Sequence, residues 1–159
     1  MLAIREALFK LEKFGSGTLL VVLTGTIFIQ VISRFLLNLP LAWSEEVSRY
    51  SFIWLTMLTT PVCVRLNANI GMDMIVRRLP ANLGTILELL SSAIALLLAI
   101  VWLIYGTTIL FVVQSQSSPA IGIPMYWVYA ALPVGAALMI AELMAAIGIR
   151  FGWLNPKAA

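Results

Sequence analysis

FGSGTLLVVLTGTIFIQVIS, Phe14 to Ser33, holds 20 residues without a charge. About 20 apolar residues in a helix cross a hydrocarbon core of about 30 Å, so this run has the length of a membrane span. Lys10 and Lys13 stand just before it and Arg34 just after it. Basic residues ahead of an apolar run also mark a secretory signal, but such a run covers about 7–15 residues and ends at a small-residue cleavage site. Here it is longer and leads into Ile32-Ser33-Arg34-Phe35, which predicts a retained first transmembrane helix.

The rest of the chain has the same character. Of 159 residues, 62% are hydrophobic and 11% charged, against about 25% charged in a soluble domain. Mean hydropathy is +1.02. Too little polar surface is left to face water, so the composition predicts an all-α integral membrane protein. The net charge of +3 is spread out and forms no basic stripe with interleaved aromatics, so no nucleic-acid partner is expected. Histidine is absent and Cys63 is the one cysteine. That removes disulfide frameworks and the common zinc, haem and iron–sulfur sites, and with them the expectation of a cofactor. It also removes Ser-His and Cys-His nucleophile pairs, so no enzyme is expected. Cys63 itself reads as a small apolar residue in a helix.

Working outward, residues 1–14 place Leu2, Ile4, Leu8 and Leu11 at helical spacing, with Arg5, Glu6, Lys10, Glu12 and Lys13 filling the other face. This pattern predicts an amphipathic helix, lying in the membrane interface or extending the next helix. The first span then covers about 15–39. Pro40 breaks it, and Ser44 is the expected N-cap of a second helix over 44–66, kinked at Pro61. A polar link follows, with Asn67, Asn69, Asp73, Arg77, Arg78 and Pro80. No charge lies between Glu88 and Glu142, and Gln114 to Pro124 divides that apolar length. The third helix is expected over 83–113 and the fourth over 125–149, with a kink at Pro133. The whole, 1–159, reads as a single domain of four transmembrane helices with no internal repeat. Lys and Arg number three before helix 1, three in the 2–3 link, two after helix 4 and none in the 3–4 loop. The positive-inside rule therefore predicts both termini and the 2–3 link in the cytoplasm, N-in and C-in.

The segment PLAWSEEVSRYSFIWL, Pro40 to Leu55, then falls at the outer face. Charge is costly near a bilayer, yet Glu45, Glu46 and Arg49 stand there beside Trp43, Tyr50 and Trp54. The first turn of a helix favours carboxylates. Arg49 is within reach of both acids at i+4 and i+3, and Arg34 is a second cation across the short turn. Arg34, Trp43, Glu45, Glu46 and Arg49 are expected to converge as an assembly or docking element, with Arg49 and Arg34 buried. Glu45, Arg49, Phe52, Thr56, Thr59 and Cys63 form a mildly polar stripe that should avoid lipid and face protein, either within the bundle or on a partner. Small residues repeat at Ser91, Ala95 and Ala99, and at Ala137, Ala141 and Ala145, a spacing that lets helices approach closely.

Ionisable residues fall in two layers, one near each interface. Carriers keep carboxylates or broken helices near the midplane. Here Thr24, Thr26, Gln30, Thr56, Thr59 and Thr60 are the polar groups at that depth, and such hydroxyls serve mainly as helix-to-helix hydrogen bonds. The pattern predicts a brace or partner subunit. The alternative is a small self-associating four-helix exporter or channel.

Trp43-Ser44-Glu45-Glu46, Arg49-Tyr50 and Phe52-Ile53-Trp54-Leu55 resemble the signature of the small, DctQ-like membrane subunit of tripartite ATP-independent periplasmic (TRAP) transporters. Arg65 and Ile70-Gly71-Met72-Asp73 are similar to that family's cytoplasmic-end motif, with Asn69 where a histidine is usual. Ile123 to Gly135 is similar to the start of its fourth helix. The resemblance implies the bacterial cytoplasmic (inner) membrane and a large membrane subunit that carries the substrate and sodium sites. It also implies a periplasmic substrate-binding protein delivering organic anions such as C4-dicarboxylates or sialic acid. Arg34, Trp43, Glu45, Glu46, Arg49, Tyr50 and Trp54 would then form the partner-facing or docking surface, and Arg65, Asn69 and Asp73 the cytoplasmic-end motif.

Overall fold

The computed structural model describes residues 2–66 and 80–150; apart from one isolated bridge, their regular structure is helical. α1 runs unbroken from Leu2 to Leu36, 35 residues. Residues 2–14 are therefore continuous with the first span, as its extension. No proline interrupts it. The hydroxyls of Ser16, Thr18 and Thr26 donate to the carbonyls of Glu12, Phe14 and Val22 one turn earlier, which keeps these polar side chains compatible with a continuous helix. The apolar face looks outward as expected, and it is part of the polar face that turns inward. Glu12 and Ser16 are buried, while Leu8, Leu11 and Phe14 are exposed. In lipid the apolar stripe faces outward and ionisable groups turn toward protein.

α1 ends in a turn closed by Ser33. Its carbonyl accepts from the N–H groups of Leu37 and Leu39, and its hydroxyl donates to Leu39 O at 2.6 Å. Asn38 supplies the left-handed residue, φ 53°, a conformation Asn tolerates better than most residues.

α2 spans Ala42–Arg65, with Leu41 at its N-cap and no side-chain cap bond. The expected cap, Ser44, lies inside the first turn, where it is fully buried and donates to Leu41 O at 2.7 Å. The expected stripe is not what α2 packs inward. Glu45, Arg49, Phe52 and Thr56 are exposed, whereas Ser44, Glu46, Ser51, Met57, Pro61 and Val62 are buried.

α3 covers Ala81–Val112, α4 Met125–Tyr129 and α5 Ala131–Arg150. Pro133 has no N–H to offer the carbonyl four residues back, at Tyr129, and the break between α4 and α5 falls beside it, at Ala130. The expected kink at Pro133 thus takes the form of an interruption one turn earlier. Pro61 leaves the Met57 carbonyl without its helical donor in the same way. There α5 comes closest: a Cβ at Gly135 would lie 2.9 Å from Met57 O and 2.7 Å from its Cβ.

The main contacts run α1 to α2, α2 to α5 and α3 to α5. The helices therefore stand in a row, with α2 and α5 inside and α1 and α3 at the edges. Ala99, Met139 and Leu143 form a buried cluster between α3 and α5, flanked by Val64, Ala95, Leu96 and Ile140. Ala95 and Ala99 thus sit at a helix contact, while Ala137 and Ala141 are exposed.

Among the described residues, three helices are long and apolar enough to cross a membrane: Arg5–Leu36, Leu83–Val112 and Met125–Ile149. α2 is not apolar enough by that measure. Its 24 residues reach about 36 Å at about 1.5 Å each, but Glu45, Glu46, Arg49 and Arg65 dilute its ends. The large apolar side chains that remain exposed, Phe28, Phe35 and Phe111 among them, suit a lipid surround.

Candidate interaction sites at the ends of the helices

The densest charged site joins the N-terminal part of α1 to the last turns of α2 and α5. Glu142 is buried in a stretch of α5 with no other charge until Arg150. Arg5 donates to it from Nε, at 3.3 and 3.2 Å, and from Nη2 at 2.6 Å. Both carboxylate oxygens are engaged by one guanidinium, the geometry that makes such pairs strong. Arg65 completes the site. Its Nη1 is 3.8 Å from Glu142 Oε1 and donates to Arg5 O at 3.0 Å, and its guanidinium lies 4.2 Å from the Phe9 ring centre. Glu12, also buried, sits near Glu142 and Arg65 with Oε2 unpartnered. Two part-buried arginines and two buried glutamates thus meet here. Removing the acid that both arginines share leaves charge in a poorly solvated site.

The opposite end is built differently. Glu46 is buried and turned toward the loop between α3 and α4. It accepts from the Ser118 hydroxyl and from the N–H groups of Ala120 and Ile121, each at 3.1 Å. That loop folds on itself. Met125 N donates to Gln116 O, Ser118 N to Ile123 O and Gly122 N to Ser118 O. Gly122 supplies the left-handed turn, φ 75°. One acid of the expected cluster therefore fastens a loop within the chain.

Glu45, about 100° further round the helix, faces the other way. It is exposed and accepts from Gln30 Nε2 at 3.2 Å. Arg34, Trp43 and Arg49 are exposed as well. Among the described residues neither arginine makes an ion pair. Within the chain Glu46 points inward, while Arg34, Trp43, Glu45 and Arg49 stay on the surface. Gln30, Arg34, Pro40, Leu41, Ala42 and Glu45 line a cleft of about 320 Å³ between the end of α1 and the start of α2.

Tyr50 and Trp54 also bond within the chain. Tyr50 OH donates to Met125 Sδ at 3.5 Å, and Trp54 Nε1 donates to Trp127 O at 3.1 Å. Both tie α2 to α4. Of the expected cytoplasmic-end motif, Arg65 belongs to the buried network, while Asn69 and Asp73 lie outside the described residues. The pairing of Arg5 with Glu142 was missed by sequence reasoning. Its one signal was the lone acid in the uncharged length after Glu88.

Comparison with known proteins gives this architecture a family. Residues 23–150 match the family model described as tripartite ATP-independent periplasmic transporters, DctQ component. The chain is 28% identical to the sialic acid TRAP transporter permease protein SiaT of Haemophilus influenzae, over 89% of this chain and 23% of that one. It is 33% identical to the isethionate TRAP transporter permease protein DctMQ of Oleidesulfovibrio alaskensis, over 64% of this chain and 16% of that one. The chain thus spans less than a quarter of the length of either. The sialic acid TRAP transporter small permease protein SiaQ of Vibrio cholerae is of similar length, 26% identical over 86% of this chain and 79% of its own. With three apolar helices and a match over most of its length, this chain is a multi-pass membrane protein and belongs to the DctQ-component family of TRAP transporters, a family of transport components and not of enzymes.

Proposed function

We propose that the chain is the small membrane subunit of a TRAP transporter in a bacterial inner membrane, bracing a large membrane subunit that carries the transport path. In this reading α2 is the fourth span and both termini are cytoplasmic. A sodium gradient drives uptake of an organic anion, and a periplasmic binding protein delivers it to the end that carries Arg34, Glu45 and Arg49. The relatives named for sialic acid and isethionate support an acidic solute.

The observation that carries the reading is where charge is absent. Residues 14–33, 50–64 and 89–141 carry none, so the middle of the helices offers no carboxylate to a coupling ion. Meanwhile Glu45, Arg49 and Thr56 of α2 stand exposed on a helix that should avoid lipid there, which suits a protein partner better than acyl chains.

Proteoliposomes test this directly. The chain alone gives no sodium-dependent uptake of sialic acid or a C4-dicarboxylate, and uptake requires the large subunit and the binding protein. Uptake by the isolated chain would remove the bracing role and promote a self-sufficient carrier.

A further inference from the structure

α1 presents a second charged feature on a face that the bundle does not use. Lys10, Lys13, Phe14, Gly17, Thr18 and Val21 line an open groove of about 510 Å³. Their spacing of three and four places them along one side of the helix, and all six are exposed. Glu12, Ser16, Thr26 and Ser33 occupy the buried side. Neither lysine takes part in the contacts around Glu142. Lys10 meets Glu6 at 3.9 Å in an exposed pair, and Lys13 has no ion-pair partner among the described residues.

The groove is cationic at one end and apolar along its length. Its lysines stand where the uncharged run begins, at headgroup depth for a helix that spans from there. Nothing lies within 4 Å of a Cβ built at Gly17, so its floor is open between Phe14 and Val21. The Thr18 hydroxyl donates to Phe14 O at 3.0 Å, which leaves its oxygen free to accept. A ligand that fits has an anionic head, a donor group near it and an apolar tail. The face is open, and at about 1.5 Å per residue Lys10 to Val21 covers roughly 16 Å, enough for a headgroup, a glycerol unit and the upper part of an acyl chain.

We propose that this face of α1 binds one anionic glycerophospholipid of the leaflet at its N-terminal end. Its phosphate lies between Lys10 and Lys13, and an acyl chain runs along Gly17 and Val21. Native mass spectrometry of the full chain tests this, with release from detergent in the presence of equal phosphatidylglycerol and phosphatidylcholine. One phosphatidylglycerol should be retained in preference to phosphatidylcholine. Each lysine near an anionic lipid surface contributes enough that Lys10→Gln with Lys13→Gln should lower occupancy by on the order of tenfold. Lys10→Arg with Lys13→Arg should restore it, and Arg34→Gln at the far end should leave it unchanged. Gly17→Leu fills the floor and should reduce retention of the long-chain lipid while both lysines remain. Millimolar inorganic phosphate should not compete. Equal retention by the double glutamine variant, or equal retention of phosphatidylcholine, would overturn the proposal. Displacement by inorganic phosphate would reduce the feature to an anion site without a lipid, and would overturn it too.

Discussion

Near the N-terminal end of α1, buried Glu142 holds the part-buried Arg5 and Arg65. At the other end, Arg34 and Arg49 stand in the open near two glutamates and pair with neither. The ingredients are the same and the outcomes differ because of where the acids come from. Glu142 reaches in from a third helix, so its charge bridges α1, α2 and α5. Glu45 and Glu46 are neighbours on one helix and must face different directions. Glu46 is spent on the 3–4 loop, and Glu45 is left outside with the arginines. One end is closed by its own chain, and the other keeps charge available for something else.

The largest expected effect tests the closed end. Glu142→Ala removes the carboxylate that Arg5 and Arg65 share. Breaking a buried ionic group in this way costs about 3–5 kcal/mol, read as lost stability in detergent unfolding. Adding Arg5→Ala to that background should cost less than Arg5→Ala alone, since its partner is already gone. A loss from Glu142→Ala no larger than that from Glu45→Ala would erase the contrast between the ends.

Next is the seam that joins both ends. At Gly135 a Cβ would press on the Met57 backbone, which cannot swing away as a long side chain would. Gly135→Ala should therefore destabilise by about 1–3 kcal/mol, the usual cost of overpacking. Because it separates α2 from α5, it should also weaken the Arg65 contact with Glu142. A double-mutant cycle with Arg65→Ala reads that coupling. Strict additivity would mean that the network sets its own geometry.

Much of this was written in the sequence, but not its direction. The uncharged runs were enough for an all-helical membrane protein. Periodicity also found stripes. It did not say which stripe faces inward, because a polar face turns toward water in one solvent and toward protein in the other. Hence α1 was read with Leu8 and Leu11 against the membrane interface and Arg5 and Glu12 in water, whereas Glu12 is buried and Arg5 is paired. The α2 stripe through Glu45 and Arg49 was read as facing protein, within the bundle or on a partner, and the chain's own helices leave Glu45, Arg49, Phe52 and Thr56 exposed. Arg5 and Glu142 are 137 residues apart, so no local pattern joins them. The partners of Glu46 include two backbone N–H groups, which residue types do not encode.

A smaller effect is expected at Glu46. Glu46→Ala leaves the Ala120 and Ile121 N–H groups and the Ser118 hydroxyl without their acceptor. Buried donors left unmade cost about 1–3 kcal/mol, and this loop can recover part of that from solvent, so the loss should fall near the lower figure. The local readout is sharper: amide exchange at 118–121 should accelerate while exchange in the middle of α5 stays as it was. Unchanged exchange in the loop would show that its own backbone bonds suffice.

The smallest effect on stability carries the most about function. Arg34, Glu45 and Arg49 are exposed, and exposed charges contribute about 0–1 kcal/mol. Single alanine variants should fold as the wild type does. Their value lies in what happens with partners present. If these groups are buried against the large subunit, Arg49→Ala or Arg34→Ala should release that subunit on detergent extraction, because its complementary charge is then left unpaired. If they meet the periplasmic protein, the membrane complex should survive and uptake should fall. That fall should be steeper at low ionic strength, where steering between exposed charges is strongest. The geometry favours the second outcome for Glu45, which shares the cleft with Arg34 at the very end of the helices. Arg49 lies one turn deeper on the α2 stripe with Phe52 and Thr56, which favours the first outcome for that residue. Recovery of the complex, then uptake at two salt concentrations, separates the two for each variant. Wild-type behaviour of all three in both assays would make the open end a solvated helix start, and the contrast between the two ends would have no functional side.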